Sequence, residues 1–265
     1  MRWLIISDFH YGLPQFDWLL GVAPQFDLII FAGDALDAGS IVDYGAQVVV
    51  VRKYLERLAN ITRVIFCSGN HDLNAKLETG EKIALWIEDI RDCGVVCDGE
   101  AVIIEDIIFS ALPWWDGPYI KQKLLAQLAS DAERRQGRRW VWVHHAPPRN
   151  SPTSWTGKQS FGDIELVEWI ASYAPDFVIT GHIHQSPFVA DGSWADRLGS
   201  TWVVNAGRYY GSPPAYVVVD TFQNEALWLS AMGGQLVRLN EPLKRPIAPL
   251  MALPNWFERM PASAV

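Results

Sequence analysis

Side chains of the types that bind metal ions follow directly after five short apolar runs of this sequence. The runs cover residues 1–6, 28–32, 64–67, 140–143 and 177–180. The segments after them are Ser7-Asp8-Phe9-His10, Gly33-Asp34, Gly69-Asn70-His71-Asp72, His144-His145 and Gly181-His182-Ile183-His184. Short apolar runs that end in glycine and polar residues are typical of buried strands. The pattern therefore predicts a site built from several strand ends.

Seven of these side chains are candidate metal ligands: Asp8, His10, Asp34, Asn70, His144, His182 and His184. Carboxylate and amide oxygens mixed with imidazole nitrogens suit Mn or Fe, with Zn as the alternative, better than Ca²⁺, which prefers oxygen alone. Two ions about 3.5–4 Å apart that share a carboxylate would use all seven, as in hydrolases that clamp a phosphate. Helix caps and structural histidines explain any one of these residues, but they explain the whole set poorly.

The order of the motifs resembles that of the calcineurin-like metallophosphoesterase superfamily. The motifs are Asp8-x-His10, Gly33-Asp34-x-x-Asp37, Gly69-Asn70-His71-Asp72, His144 and Gly181-His182-x-His184. They extend over about two thirds of the chain, from residue 8 to residue 184. The resemblance implies a four-layer α/β/β/α sandwich, in which two mixed sheets are flanked by helices and the site lies at the strand ends between them.

The resemblance also implies a role for each ligand. A first ion would be held by Asp8, His10 and His184. A second ion would be held by Asn70, His144 and His182. Asp34 would bridge the two ions, and a water or hydroxide between them would attack phosphorus in line. His71 would protonate the leaving oxygen or stabilise the transition state, with Asp72 orienting its ring and Asp37 supporting the site from behind.

The adjacent residues His144 and His145 leave one choice open. Successive residues of a strand point to opposite sides, so only one of the two is expected to face the metals. We favour His144, because it directly follows the apolar run of residues 140–143. His145 would then face the substrate or form a structural hydrogen bond.

Residues 147–163 form the longest segment without helical or strand periodicity, and they follow the two histidines directly. A loop of this length is usually a lid, a binding loop or simply mobile. Arg149 and Asn150 are candidate substrate contacts, as are Trp155 and Lys158, although a solvated surface loop explains them equally well. Trp114-Trp115 is another candidate rim, with core packing as the alternative.

The elements that position these residues are predicted from hydrophobic periodicity. Residues 1–6 and 28–32 are expected to be parallel neighbours, so that Asp8 and Asp34 lie side by side. Amphipathic helices are predicted at residues 44–59 and 81–93, the second ended by Gly94, and further helices at 120–135 and 164–172. Residues 95–96, 101–104 and 107–111 are predicted to form short hairpin strands.

The C-terminal third is predicted to complete the sandwich. Residues 201–205, 216–220, 227–232 and 235–239 are expected to be antiparallel strands. Five prolines in about twenty residues disfavour regular structure after residue 240. We therefore expect one metallophosphoesterase domain over residues 1–240 and a proline-rich tail over 241–265 that packs on this domain or trails from it.

Composition restricts the class of partner. The 265 residues are 49% hydrophobic and 20% charged, as in ordinary globular proteins, and the net charge is −8. This charge argues against a basic surface for long nucleic acids. The sequence has no signal-peptide pattern and no apolar run long enough to span a membrane, so we expect a cytoplasmic protein without a membrane partner.

Three functions are consistent with the motifs. The first is hydrolysis of a small phosphate ester, with monoester and diester substrates both open. The second is a nuclease of the same superfamily; the absence of basic clusters and the short segment after His184 argue against it. The third is a metal-binding interaction scaffold without activity, which would have had no reason to keep the whole ligand set and His71.

Overall fold

The computed structural model describes residues 1–258, which contain two large β-sheets packed face to face. In chain order the strands are β1 (Arg2–Ile6), β2 (Leu28–Ala32), β3 (Arg63–Cys67), β4 (Ala75–Lys76), β5 (Lys82–Ile83), β6 (Ala101–Ile104), β7 (Ile107–Ala111), β8 (Arg139–Val143), β9 (Phe177–Thr180), β10 (Ala195–Leu198), β11 (Thr201–Asn205), β12 (Tyr216–Asp220), β13 (Glu225–Ser230) and β14 (Gly233–Arg238). The helices are α1 (Leu13–Val22), α2 (Tyr44–Ala59), α3 (Glu88–Arg91), α4 (Pro118–Arg135), α5 (Ile164–Tyr173) and α6 (Asn255–Glu258).

Both large sheets are mixed. The first has the order β14-β13-β12-β1-β2-β3, and the second has the order β10-β11-β9-β8-β7-β6. In the first sheet β1, β2 and β3 are parallel, and in the second β7, β8, β9 and β11 are parallel. Because the carboxyl ends of parallel strands meet at one edge, the residues that follow β1, β2, β3, β8 and β9 come together.

Apolar side chains on both faces of the central strands hold the layers together. Trp3 and Ile5 of β1 pack with Val143 and Ile179 of the second sheet in the core between the sheets. Leu4 and its neighbours on the opposite face pack under α1 and α2, and a third cluster lies under α4 and α5. Strands buried on both faces are expected to be apolar throughout, as these are. The predicted α/β/β/α sandwich is confirmed.

Most predicted elements are present, but the helix predicted at residues 81–93 is much shorter than expected. A 3₁₀ turn at Leu85–Ile87 leads into α3, and Lys82–Ile83 instead forms β5, which pairs with β4. The carboxylate of Glu81 accepts hydrogen bonds from the backbone N–H groups of Tyr119 and Ile120, at 2.7 and 3.0 Å, and so caps the start of α4. The side chain of Glu81 thus serves α4 and not a helix of its own segment.

Two further strand predictions need correction. Residues 95–96 form only an isolated bridge, between Val96 and Ile65. β11 was expected to be antiparallel, but it pairs in parallel with β9 and is antiparallel only to β10. β10 was not predicted, because its sequence Ala-Asp-Arg-Leu has no apolar alternation. The antiparallel arrangement of β12, β13 and β14 is as predicted.

The proline-rich segment after β14 packs on the two sheets as far as it is described. Leu243 and Ile247 contact the core between the sheets. The backbone N–H of Leu250 donates to Gly234 O of β14 at 2.7 Å, so the segment pairs with the outer strand of the first sheet. Residues 259–265 of the predicted tail lie outside the described residues. Within residues 1–258, no helix is both long and apolar enough to cross a membrane.

Candidate metal centre

Hydrogen bonds join the loops that follow the parallel strands, both within each sheet and between the two sheets. The backbone N–H of Asp8 donates to Gly33 O at 3.0 Å, and that of His10 donates to Asp34 O at 2.9 Å. On the second sheet the N–H of Gly181 donates to His145 O at 2.9 Å. The N–H of His182 joins the sheets, because it donates to the Asp8 carboxylate at 3.1 Å. The backbone therefore fixes where each polar side chain begins.

A first group of metal-ligand atoms comes from Asp8, His10, Asp34 and His184. One potential ligand atom of each lies within 4.8 Å of those of the other three. His184 Nε2 is 3.2 Å from Asp8 Oδ1, and His10 Nε2 is 3.6 Å from Asp34 Oδ2. The Nε2 atoms of His10 and His184 lie only 3.0 Å apart. Imidazole nitrogens and carboxylate oxygens thus point to one small volume.

A second group consists of Asp34, His145 and His182, again with ligand atoms within 4.8 Å of one another. His145 Nε2 lies 3.1 Å from Asp34 Oδ2. Asp34 is therefore common to both groups. A carboxylate with two oxygens in this position could supply one ligand atom to each group.

A buried polar atom without a partner shows that the residues fit a metal ion. Asn70 Oδ1 is buried and has no hydrogen-bond partner within residues 1–258. Buried polar atoms in native proteins are nearly always paired, so this oxygen needs a ligand from outside the chain. An amide oxygen together with the imidazole and carboxylate atoms of the two groups is a donor set that suits Mn, Fe or Zn.

The structure corrects the choice between the two adjacent histidines, because His145 and not His144 joins the ligand groups. Along β8, Val141 and Val143 face the core between the sheets, whereas Trp140 and Trp142 face α4 and α5. His145 continues the inward series. The ring of His144 lies on the outer side, where it stacks on Trp115 with ring centres 4.8 Å apart and an angle of 6° between the planes.

Asp72 does not orient the ring of His71 as expected. Its buried carboxylate accepts hydrogen bonds from the backbone N–H groups of Asp34 and Gly69, both at 2.8 Å, and of Leu36, at 3.0 Å. These bonds fix the loop that carries Asp34. Asp72 therefore positions the shared ligand instead of acting on the neighbouring imidazole.

His71 lies at the open side of the ligand groups, and its side chain is 30% exposed. Its ring centre is 4.4 Å from that of His10, and its backbone N–H donates to Asp34 Oδ1 at 2.8 Å. The Nδ1 atom accepts a hydrogen bond from the N–H of Ala38 at 3.2 Å and lies 3.4 Å from Asp37 Oδ1. Asp37, and not Asp72, is therefore the carboxylate that lies next to the ring of His71.

The backbone of the site is strained at four ligand residues. The φ angles of Asp8, His10, Asp34 and His182 are 59°, 44°, 57° and 67°, in the left-handed region that side chains other than glycine rarely adopt. The adjacent Gly69 shows how close the packing is, because a Cβ atom at this position would lie 2.2 Å from Asp34 Oδ1. Strain of this kind is usually found where function requires it.

The electrostatics of the metal-free site prepare the carboxylates to bind cations. Burial alone would raise the pKa of Asp8, but hydrogen bonds with His10 and His184 lower it well below its ordinary value. Burial opposes the charged form of Asp34 too, and the positive charge of His145 nevertheless lowers its pKa. Both carboxylates are therefore ionised at neutral pH.

The histidines of the second group have opposite pKa shifts. Burial and the charge of His145 lower the pKa of His182 to about 4, so its ring is neutral and its nitrogen is free to bind a metal. For His145, burial is outweighed by the charge of Asp34 and by its hydrogen bond, which raise the pKa to about 9. In the metal-free protein a proton on His145 therefore occupies the place of a cation.

The long loop after His145 does not reach the ligand groups through any hydrogen bond or ion pair within residues 1–258. Arg149 and Asn150 are exposed, and their backbone N–H groups bond within the loop, to Asp163 O and Ser160 Oγ. These two residues and Lys158 thus remain predictions as substrate contacts. The indole Nε1–H of Trp155 donates a hydrogen bond to Ala190 O at 3.0 Å.

The tryptophan pair is divided between the site and the core. The ring centre of Trp114 lies 5.1 Å from that of His182 and 5.7 Å from that of His145. Trp115 instead stacks between His144 and Trp169. Trp114 therefore forms one wall of the second group, and Trp115 belongs to the packing behind it.

Two residues at and after the end of β11 were missed in the sequence. The Nδ2 group of Asn205 donates to Gly181 O and Ile183 O, at 3.0 and 3.1 Å, and so fixes the turn that carries His182 and His184. Arg208 donates its backbone N–H to His184 O at 3.0 Å. Both follow an apolar run, residues 202–204, as the other site residues do, and this was the signal that could have identified them.

Comparison with known proteins identifies the chain. A sequence model described as calcineurin-like phosphoesterase matches residues 1–186. The chain belongs to this family. The calcineurin-like phosphoesterases bind divalent metals, and both ligand groups lie within the matched residues. The superfamily inferred from the motifs is thereby confirmed. Among curated protein sequences there is no significant match.

Solved structures share the fold at low sequence identity. TT1561 of Thermus thermophilus superposes with a TM-score of 0.57 at 14% identity, over 90% of this chain and 98% of that one. Purple acid phosphatase PPD1 from yellow lupin seeds gives a TM-score of 0.54 at 14% identity, over 90% of this chain and 51% of that one. These similarities show that the two-sheet fold is shared.

Proposed function

We propose that this calcineurin-like phosphoesterase is a hydrolase that cleaves a small phosphate ester with two metal ions. The observation that carries the proposal is Asp34, whose carboxylate belongs to both ligand groups. The first ion would be held by Asp8, His10, Asp34 and His184. The second would be held by Asp34, Asn70, His145 and His182. Mn or Fe is proposed, with Zn as the alternative, because these metals accept mixed oxygen and nitrogen ligands.

Two such ions supply Lewis-acid activation of the phosphate and of the attacking water when they are bound. The chain's own contribution begins with preorganisation. Asp72 holds the Asp34 loop through three backbone N–H groups, and Asn205 holds the turn of His182 and His184. Ligands held in this way do not have to be ordered when metal or substrate binds.

His71 is the proposed hydrogen-bond donor to the leaving group. Because its Nδ1 accepts the N–H of Ala38, the ring proton of the neutral imidazole is on Nε2. The ring lies beside His10 at the open side of the site. We infer that Nε2–H donates a hydrogen bond to the oxygen of the leaving group and stabilises the negative charge that develops there as the P–O bond breaks.

The substrate is proposed to be a small molecule and not a long nucleic acid. The net charge of −8 disfavours the binding of a long polyanion. Trp114 beside His182 offers one aromatic wall for the organic part of a small ester.

The test is hydrolysis by the purified protein with Mn of p-nitrophenyl phosphate and its bis ester, together with metal analysis. Asp34→Asn is expected to lower kcat/KM by about 10³-fold or more and to reduce the metal content, because both ions lose a ligand. Asp106→Asn is the matched control, since Asp106 is an exposed residue whose side chain pairs only with Arg139 within residues 1–258.

Metal analysis distinguishes failure of the proposed activity from failure of the proposed metal centre. A wild-type protein that carries two ions per chain but hydrolyses neither ester, with Mn, Fe or Zn, would be a scaffold and would refute the proposed activity. A protein that binds no metal under any of these conditions would refute the metal centre itself.

A further inference from the structure

Arg208 lies beside the first ligand group but is not one of its ligands. It follows β11 by three residues, and its backbone N–H donates to the carbonyl of His184 at 3.0 Å. The preceding Gly207 packs so closely that a Cβ atom there would lie 2.9 Å from His184 O. The chain around Arg208 is therefore in direct contact with the residue that supplies one of the imidazole ligands.

The loop of residues 207–213 is also fastened to the segment that carries His10. The side chain of the buried Gln15 donates from Nε2 to Tyr209 O at 2.7 Å and to Gly211 O at 2.9 Å. Ser212 Oγ donates to Pro14 O at 3.0 Å. Because Pro14 and Gln15 follow His10 by only four and five residues, these bonds hold the loop against the segment that continues from His10.

The guanidinium of Arg208 has no partner of its own among residues 1–258. It forms no ion pair within 4.0 Å and no side-chain hydrogen bond there, and its Nε is buried without a partner. The guanidinium lies over the ring of Tyr210, with Cζ 4.5 Å from the ring centre. Tyr210 itself is 80% exposed. A partly buried cation without a counterion is costly, unless a ligand supplies the negative charge.

The electrostatics of the site place the same charge near His10. Burial lowers the pKa of His10, Asp8 and Asp34 oppose this effect, and the positive charge of Arg208 lowers the pKa further. The guanidinium of Arg208 and the ring of Tyr210 therefore lie together near the first ligand group.

We propose that Arg208 binds a terminal oxygen of the substrate phosphate and makes dianionic phosphate monoesters the preferred substrate class over diesters. The inference rests on the proposed function. A monoester phosphate carries about two negative charges at neutral pH and three terminal oxygens, whereas a diester carries one charge and two. A planar guanidinium with several N–H donors recognises the additional oxygen and charge.

The experiment compares wild type with Arg208→Gln and Arg208→Lys on p-nitrophenyl phosphate and on its bis ester. Arg208→Gln is expected to lower kcat/KM for the monoester by about 10- to 100-fold, the loss typical of a hydrogen bond to a charged group, and to change kcat/KM for the bis ester little. Arg208→Lys keeps the charge without the planar fork, so it is expected to recover part of the loss.

Arg197→Gln is the matched control, because the guanidinium of Arg197 also lies over an aromatic ring, that of Trp202, at 5.3 Å. It is expected to leave the ratio of monoester to diester activity unchanged. Binding of inorganic phosphate, measured by calorimetry on the same proteins, supplies a second readout and is expected to weaken in Arg208→Gln by a similar factor. Thermal unfolding checks that each variant is folded.

An equal loss on both esters, or an unchanged phosphate affinity in Arg208→Gln, would overturn the inference and leave Arg208 a structural role. If wild type hydrolyses neither ester, the proposed function fails instead. The phosphate titration then still decides on Arg208, since an affinity that is absent, or equal in wild type and Arg208→Gln, refutes it.

Discussion

Asp34 is the residue on which both ligand groups depend, and its neighbours explain how it is held. Its backbone N–H is bonded to Asp72, one of its carboxylate oxygens accepts the N–H of His71, and its φ angle is 57°. A strained residue of this kind persists only when the surrounding bonds over-determine it. The rigidity of the site is thus a property of the contacts around this one carboxylate.

Replacing His145 and His144 in turn distinguishes the two histidines. His145→Asn is expected to remove one ion and to lower kcat/KM by at least about 100-fold, because Nε2 of His145 faces Asp34. His144→Asn is expected to keep the metal and to lose stability only, through its stacking on Trp115. Metal analysis and urea unfolding measure the two effects. Loss of metal in His144→Asn with retention in His145→Asn would reverse the assignment.

Metal binding is expected to release about one proton at pH 7.5. In the metal-free protein His145 has a pKa of about 9, so it is protonated at this pH, and it must lose the proton to bind a cation. The apparent metal affinity should therefore rise with pH, by up to about tenfold per unit, and level off above pH 9. Calorimetry in buffers of different ionisation enthalpy counts the protons.

The control for this titration is His145→Asn, which should release correspondingly fewer protons. The neutral His182, with a pKa of about 4, contributes none at pH 7.5. An affinity that is constant between pH 6 and pH 9 would contradict the interpretation.

The choice between His144 and His145 shows what the sequence did and did not contain. Alternation along β8 was visible, but the direction of the alternation depends on which of its residues face the helices. Trp140 and Trp142 are as apolar as Val141 and Val143, so hydrophobicity alone did not distinguish the two faces. The packing of the tryptophans under α4 and α5 supplies that information.

At the scale of elements, the ends of parallel strands determine the site and local pattern predicts most of them. Residues 44–59 form α2 as expected, and the apolar runs form β1, β2, β3, β8 and β9. Where the local sequence pattern predicts the wrong element, contacts with distant residues determine the structure instead. Residues 81–93 have helical periodicity, yet Glu81 serves as the cap of a helix almost forty residues away. Contacts of that separation leave no trace in local periodicity.

Removing the Glu81 carboxylate tests this view of the region. Glu81→Ala is expected to lower the free energy of unfolding by about 1–2 kcal/mol, because two N–H groups at the start of α4 lose their acceptor and Gly117 at its N-cap has no side chain. Chemical denaturation measures the change. The exposed Glu78→Ala is the control and should stay within about 0.5 kcal/mol of wild type. Equal values for the two variants would contradict the cap.

At the scale of the whole molecule, the net charge bears on the size of the anion that can bind at the site. The chain is acidic overall, with a net charge of −8, while the cations at the site are expected to be the metals and Arg208. This arrangement favours a compact anion over an extended one, since an extended anion would meet repulsion outside the site.

A polyanion is therefore expected to bind weakly. Single-stranded DNA should not be retained by the Mn-loaded protein at about 150 mM salt, and it should not be degraded under conditions in which p-nitrophenyl phosphate is hydrolysed. Electrophoretic mobility and gel assays with labelled oligonucleotides measure both. Asp34→Asn serves as the control for contaminating nuclease. Degradation that depends on Asp34 would favour the nuclease alternative.

The pairing of the proline-rich segment with β14 affects how much of this strand edge is open to other chains. An outer strand with free N–H and C=O groups is a template for other chains, and aggregation begins at such edges. Leu250 caps part of this edge, and the amide of Gln235 is tied to Ile247 O at 3.1 Å. Prolines in the covering segment cannot pass the pairing on to a further strand. The segment therefore leaves less of the β14 edge open to pairing with a strand of another chain.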